Sequence, residues 1–186
     1  DIKKMVSWAK EHNLTFSPEK TKVMLFTRKT KKFIKPKLFI EGREIEWVTS
    51  FKYLGITLDS KLSFLKHVEN ITKRASMTMA QCKRMIGKSW GLKPKICRWV
   101  YTSLIRPILT YGCAIWINSI NKESTHLKKL VKVQRQGCLS ILSAMSSTPT
   151  AGLEVILDIR PIEIHLQELA VSCYLRLKKN GNWKPI

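Results

Sequence analysis

"FKYLGITLDSKLSFLKHV", residues 51–68, is where the hydrophobic period of the chain changes. Its first half, Phe51 to Asp59, sets two aromatics, a Lys and a Gly into what otherwise reads as a β-strand, closed by Asp59-Ser60-Lys61. From residue 65 onward the spacing is helical: Val68, Ile71, Ala75, Met79, Cys82 and Ile86 recur every three or four positions. At 100° per residue they cluster within roughly 80° of one another. Lys66, Lys73, Arg84 and Lys88 fall on the opposite side, so the pattern predicts a helix with a core face and a basic face. A small antiparallel β unit followed by an α-helical unit makes the fold class α+β.

Upstream, residues 2–13 carry an amphipathic helical pattern, "NLTFSPEKTK" reads as a loop, and "KVMLFT" alternates as a strand. Lys20 to Lys37 holds eight basic residues and no acidic one; its centre, "RKTKKFIKPK", lacks helical period and contains Pro36, which predicts an exposed basic loop. "KLFIEGREIEWV" reads as a hairpin with its two-residue turn at Gly42-Arg43.

Downstream, "GLKP" at 91–94 separates two helices, and Pro107 is expected to kink or divide the second near Arg106. A third helix is expected over about 124–146, with Lys128, Lys129, Lys132 and Arg135 making it another basic element. "SSTPTAG" reads as a linker, and a last helix starts near Arg160-Pro161. Trp47, Trp99 and Trp116 are expected in the core.

With 34 Lys and Arg against 13 Asp and Glu, the formal charge is +21, and a compact body this basic calls for a polyanionic partner, nucleic acid first. The cations could neutralise phosphates, and Phe51 and Tyr53 could either stack on bases or pack in a core. An anionic membrane surface fits less well, because the basic residues are spread over several elements instead of one amphipathic helix. No run of 18 apolar residues occurs, so no membrane partner or membrane-spanning segment is expected. Five cysteines without a C-x-x-C pair argue against a disulfide framework or a zinc knuckle. The four histidines lack metal-ligand spacing, so no metal site is expected. Asp59 and Asp158 stand far apart in sequence with no second carboxylate in an informative spacing. No phosphate-binding glycine loop or zinc-protease motif is present either, so the chain is expected to perform no chemistry alone.

The order of "MVSWAKEHNLTFSPEKTKVMLFTRK", "FKYLGITLDSKLSFLKHV", "WGLKPKICRWVYTSLIRPILTYGCAIW" and "STPTAGLEVILDIRPIEIHL" resembles the C-terminal part of a LINE-type (non-LTR, jockey-like) retrotransposon reverse transcriptase. The resemblance implies three portions: residues 1–62 as the end of the palm with its primer grip, 63–147 as a helical thumb, and 148–186 as a connection toward an RNase H-like domain. It also implies an RNA template–DNA primer duplex as partner, held sequence-independently. Lys20 then takes the place of a lysine proposed to protonate the departing pyrophosphate. Phe51, Lys52, Tyr53 and Gly55 belong to the primer-grip hairpin. Lys22, Arg28, Lys29, Lys31 and Lys32 lie on the palm side, and Lys66, Lys73, Arg84 and Lys88 on the thumb.

The family's catalytic aspartates, including an Asp-Asp pair absent from this sequence, would lie before Asp1, in fingers and palm missing here. That fits the opening Asp1-Ile-Lys-Lys without a Met. No cofactor is expected in this portion, though Mg²⁺ is implied for a full-length polymerase. An intracellular location, nuclear or cytoplasmic and not secreted, is expected. Two other readings stay open: a stand-alone nucleic-acid-binding protein derived from such an element, and a decayed fragment.

Overall fold

The computed structural model describes residues 2–29, 34–84, 92–119 and 124–181. The chain forms two compact units, residues 1–63 and 64–186.

The first unit opens with α1 (Ile2–Glu11), whose Ala9 is buried. Six short strands follow: β1 (Lys22–Val23), β2 (Phe39–Ile40), β3 (Arg43–Glu44), β4 (Glu46–Trp47), β5 (Ser50–Tyr53) and β6 (Ile56–Asp59). β1 and β4 pair in parallel; β2–β3 and β5–β6 are antiparallel hairpins. Ile40, Ile45 and Ile56 are its buried branched side chains.

The first hairpin turns one residue earlier than expected. Ile40 faces Arg43, so Glu41 and Gly42 form the turn, with φ of 49° and 79°. The stretch 51–59 is likewise a hairpin and not one strand. Tyr53 faces Ile56, and Leu54 and Gly55 turn with φ of 45° and 86°. Positive φ at both central residues is the signature of the hairpin turn whose twist matches the flanking strands, and Gly at the second position takes it without steric cost. The expected strand over "KVMLFT" is reduced to Lys22–Val23. Beyond it the chain is held by Thr27, whose N–H donates to the Ser60 carbonyl at 2.9 Å. The link out of β6 is fixed by Asp59, whose Oδ1 accepts from the N–H groups of Lys61 and Ser63 at 3.1 and 3.0 Å.

The second unit is all helical: α2 (Leu65–Lys83), α3 (Pro94–Val100), a π-helical turn (Tyr101–Ile105), α4 (Arg106–Thr110), α5 (Cys113–Trp116), a 3₁₀ turn (Ile117–Ser119), α6 (Thr125–Leu142), α7 (Thr150–Ile156) and α8 (Ile162–Lys179). The expected stripe of α2 is its core face: Val68, Ile71, Ala75 and Met79 are buried. His67 and Thr72 join them, the hydroxyl of Thr72 donating back to the Val68 carbonyl at 2.7 Å. Ile86 and Lys88 lie outside the described residues.

Pro107 does not break its helix. The widened turn over Tyr101–Ile105 precedes it, and Pro107 sits in the first turn of α4, where a missing N–H is tolerated. The break comes instead at Tyr111-Gly112, where Gly112 takes φ 62°.

By length and composition Pro94–Ser119 is apolar enough to cross a membrane, contrary to the expectation from unbroken apolar runs. Here it supplies the bundle core, with Tyr101, Ile105, Leu109, Cys113 and Trp116 buried. Trp99 corrects the expectation made for the tryptophans. It points away from the side carrying Cys97 and Tyr101 and is 66% exposed, while Trp116 is fully buried and Trp47 half-buried.

The "SSTPTAG" linker ends at Pro149, and its last residues already belong to α7. Residues 148–181 pack inside the second unit, with α7 against α6 and α8 against α5 and α6. Three arginines fasten this segment. Arg98 donates through Nε to the Leu157 carbonyl and through Nη2 to the Asp158 carbonyl at 2.7 Å. Arg106 donates to the Arg160 carbonyl at 2.6 Å. Arg135 reaches the carbonyls of Ser146 and Thr148 at 2.6 and 2.7 Å.

Candidate nucleic-acid interface

In the first unit the expected cations divide by their partners. Lys20 ends a turn in which its N–H donates to the Ser17 carbonyl at 3.2 Å, and its side chain is exposed. Lys22, on β1, faces Glu46 on β4, and the two form an ion pair at 2.6 Å. Arg28 and Lys29 are exposed; Lys31 and Lys32 lie outside the described residues.

On the second hairpin Phe51, Lys52 and Tyr53 are all exposed, whereas Ile56 and Thr57 opposite them are buried. The hairpin therefore hides β6 and presents β5, with Leu54 75% exposed at its tip. Gly55 belongs to the turn, so it does not share a strand face with Phe51 and Tyr53.

In the second unit Lys66 and Lys73 on α2 and Arg84 at its C-cap are exposed, opposite the buried stripe. Two features lay beyond sequence reasoning. Glu69 on α2 pairs with Lys129 on α6 at 2.5 Å, where the two packed helices run side by side. Further along, a groove opens between them, lined by Ser76, Met79, Ala80 and Lys83 of α2, by Gln136, Leu139 and Ser140 of α6, and by Ala144 just past the end of α6. Both helices run the same way along it, since 69 meets 129 and the 76–83 segment meets 136–144. Lys73 and Lys132 fall between these two points and are exposed. The small Ser76, Ala80, Ser140 and Ala144, with Lys83 in the lining and Lys73 and Lys132 exposed before it, suit the close approach of a phosphate backbone. The only sequence sign of the groove was small residues four apart, Ser76/Ala80 and Ser140/Ala144.

Arg135 is not part of this surface, because its guanidinium is taken by the 146–150 segment. Behind the groove lies a buried polar cluster. The Tyr101 hydroxyl donates to Gln134 Oε1 at 3.2 Å, and Gln134 Nε2 donates to Glu154 at 2.7 Å and to the Arg160 carbonyl at 3.1 Å. Burial pushes the Tyr101 phenol up, with the Cys138 thiol adding to it, and burial pulls the Arg106 guanidinium below its ordinary value. Cys138 is pushed up to about 11, mainly by burial, and burial also raises Cys97 and Cys113. These three thiols are inert core residues.

Among the described residues no group of three His, Cys, Asp or Glu side chains could hold a metal ion. Asp59 is occupied by the turn into α2, and Asp158 pairs with Arg98 at 2.9 Å. The Mg²⁺ implied by the resemblance would need clustered carboxylates, and these residues do not fit it.

The chain is 30% identical over 179 residues to the RNA-directed DNA polymerase from the mobile element jockey of Drosophila melanogaster, covering 94% of this chain and 19% of that protein. It is 26% identical over 170 residues to a 115 kDa protein in the type-1 retrotransposable element R1DM of the same species, 91% of this chain and 16% of the relative. A Pol polyprotein from the element R1 of Nasonia vitripennis is 22% identical over 84% of this chain and 48% of its own length. The chain is a homologue of non-LTR retrotransposon polymerase proteins. It spans less than a fifth of the two Drosophila relatives. No protein-family profile matches the chain, and no solved structure matches it. Phe51, Lys52 and Tyr53 are exposed side chains of the second hairpin, and Lys66, Lys73, Lys83 and Arg84 are exposed along α2 and just past its end.

Proposed function

We propose that this chain is the palm-to-thumb portion of a non-LTR retrotransposon reverse transcriptase, and that its α2–α6 surface grips an RNA template–DNA primer duplex. The observation that carries the reading is the sidedness of α2. Lys66, Lys73 and Arg84 lie opposite a buried stripe, and Lys83 lines the groove between α2 and α6. Such contacts neutralise phosphates without reading bases, which suits an enzyme that copies any sequence. A-form and hybrid duplexes are held by shape and backbone, which suits cations spread along one helix face.

The β5 hairpin serves as the primer grip, with Phe51, Lys52 and Tyr53 as its presented side chains and Gly55 in its turn. Lys20 stands at the end of the preceding turn and stabilises the charge that develops on departing pyrophosphate. The catalytic carboxylates and their Mg²⁺ belong to other parts of a polymerase.

Fluorescence anisotropy with a labelled RNA–DNA duplex tests the reading. Affinity should fall as salt rises and should fall further when Lys73, Lys83 and Arg84 are together changed to Glu. Binding that ignores both salt and this triple change refutes the assignment of the groove.

A further inference from the structure

A second groove, between α1 and the first hairpin, shares no residue with the second hairpin or with the α2–α6 groove. Its volume is about 400 Å³, and it is lined by Ile2, Lys3, Val6 and Lys10 of α1 and by Phe39 and Glu41 of the hairpin. All six belong to the first unit. On a wheel of 100° per residue, Ile2, Val6, Lys10 and Lys3 fall within roughly 100° of one another, so the groove takes one side of α1. Ile2 and Val6 are half-buried, while Lys3, Lys10, Phe39 and Glu41 are exposed. Ile40 turns into the unit, so strand alternation sends Phe39 the other way and leaves it 53% exposed.

The lining defines its ligand. Lys3 and Lys10 stand seven residues apart, about 10 Å along the helix axis at 1.5 Å per residue, so each can take its own phosphate along a strand. Across from them Phe39 offers an exposed ring, on which a base stacks whatever its identity. Glu41 disfavours a bare anion and favours a ligand that also carries hydrogen-bond donors, which base amino groups and ribose hydroxyls supply. A groove of this volume admits a nucleotide-sized group and not a duplex.

We propose that the α1–β2 groove binds single-stranded nucleic acid, with a base stacked on Phe39 and neighbouring phosphates held by Lys3 and Lys10. The site rests on residues of the first unit alone, so it stands or falls separately from duplex binding at α2.

Titration of the full, isotope-labelled chain with an RNA trinucleotide, followed amide by amide in heteronuclear NMR, tests this. The amides of Lys3, Val6, Lys10 and Phe39 should shift together and report one dissociation constant. Phe39→Ala should weaken it about tenfold, the loss of one stacked base, whereas Phe39→Trp should not. Lys3→Gln with Lys10→Gln should lower its log–log salt slope by up to about 1.4, at about 0.7 per phosphate on a single strand. Changing Lys73, Lys83 and Arg84 to Glu should leave the shifts of α1 and β2 in place. The spectra also show whether each variant is folded, and the lysine pair, exposed on α1, carries the test if Phe39→Ala does not fold. Shifts confined to the second unit overturn the proposal, as does a dissociation constant indifferent to both Phe39→Ala and the lysine changes. A mononucleotide that binds at these amides as tightly as the trinucleotide overturns the assignment of a strand.

Discussion

Adding one methyl group at Gly137 tests how tightly α6 is seated in the helical unit. A Cβ there would stand 2.6 Å from Tyr101 Cε2, 2.9 Å from Cδ2 and 3.5 Å from Met79 Sδ. The ring has nowhere easy to go. Tyr101 is 3% exposed, and its hydroxyl is bonded to Gln134, itself fully buried. Overpacking of this kind costs about 1–3 kcal/mol, and a ring shift that breaks the hydroxyl bond adds about 1 kcal/mol. Against this, Ala is favoured over Gly in a helix by about 1 kcal/mol. Gly137→Ala should therefore destabilise the protein by about 1–3 kcal/mol, combining those figures. Gly152, in α7, is the matched control: a Cβ there meets nothing within 4 Å. Gly152→Ala should stabilise by about 0.5–1 kcal/mol. Urea unfolding followed by far-UV circular dichroism reads both, as opposite shifts of midpoint at an unchanged m-value. A Gly137→Ala midpoint at or above that of the parent would refute the close seating of Tyr101 on α6.

Three further outcomes follow from charge and burial. Changing Lys73, Lys83 and Arg84 to Glu should lower the log–log salt slope of duplex binding by up to about 2.7, at about 0.9 for each phosphate no longer neutralised; titrations at several salt concentrations give the slope directly, and an unaltered one would leave these cations merely solvated. His165 lies below its ordinary 6.5 because it is partly buried and faces Arg106 and Arg160, with Glu168 as the opposing carboxylate. The unfolded chain then binds the proton more readily, so this contribution to stability is full above about pH 6.5 and is lost as pH falls below it; His165→Gln should flatten the dependence measured by denaturation, and an unaltered pH profile would exclude the histidine as its source. Iodoacetamide should label the half-exposed Cys82 and Cys173 well before Cys97, Cys113 and Cys138, as read by peptide mass spectrometry; labelling of Cys138 as fast as Cys82 would contradict the core packing.

The helical period of residues 68–82 was legible because the amphipathic pattern is long, and each turn repeats the same information. Val68, Ile71, Ala75 and Met79 of that pattern are buried, with His67 and Thr72 beside them, while Cys82 is half-buried. Hairpin turns carried less signal. Glu41-Gly42 and Leu54-Gly55 hold only one glycine each, and the first residue of each pair adopts positive φ although neither Glu nor Leu favours it. Their placement depends on cross-strand register, which is a long-range property. Trp99 misled for a related reason: hydrophobicity marks a candidate for burial, but the direction of its helix face is decided by the neighbours. The α2–α6 groove was the least legible part. Ser76, Ala80, Ser140 and Ala144 look unremarkable along the chain and line a groove only once α2 and α6 are packed side by side.

The formal charge of +21 overstates the charge available to a ligand, because several arginines of the helical unit are used inside the fold. Arg98, Arg106 and Arg135 turn inward and donate to main-chain carbonyls of the 146–160 segment, and Arg160 pairs with Glu168. A planar guanidinium with several fixed donors, weakly hydrated, is suited to that work. Lys66, Lys73, Lys83, Lys128 and Lys132 instead point outward from α2 and α6. An ammonium on a flexible stem follows a phosphate backbone without demanding one geometry, so it gives affinity with little sequence preference. The division explains how one strongly basic chain can both fold around its cations and present others to a polyanion. It also sets what the salt slope of duplex binding measures: the number of outward cations that reach phosphates, and not the net charge of the chain.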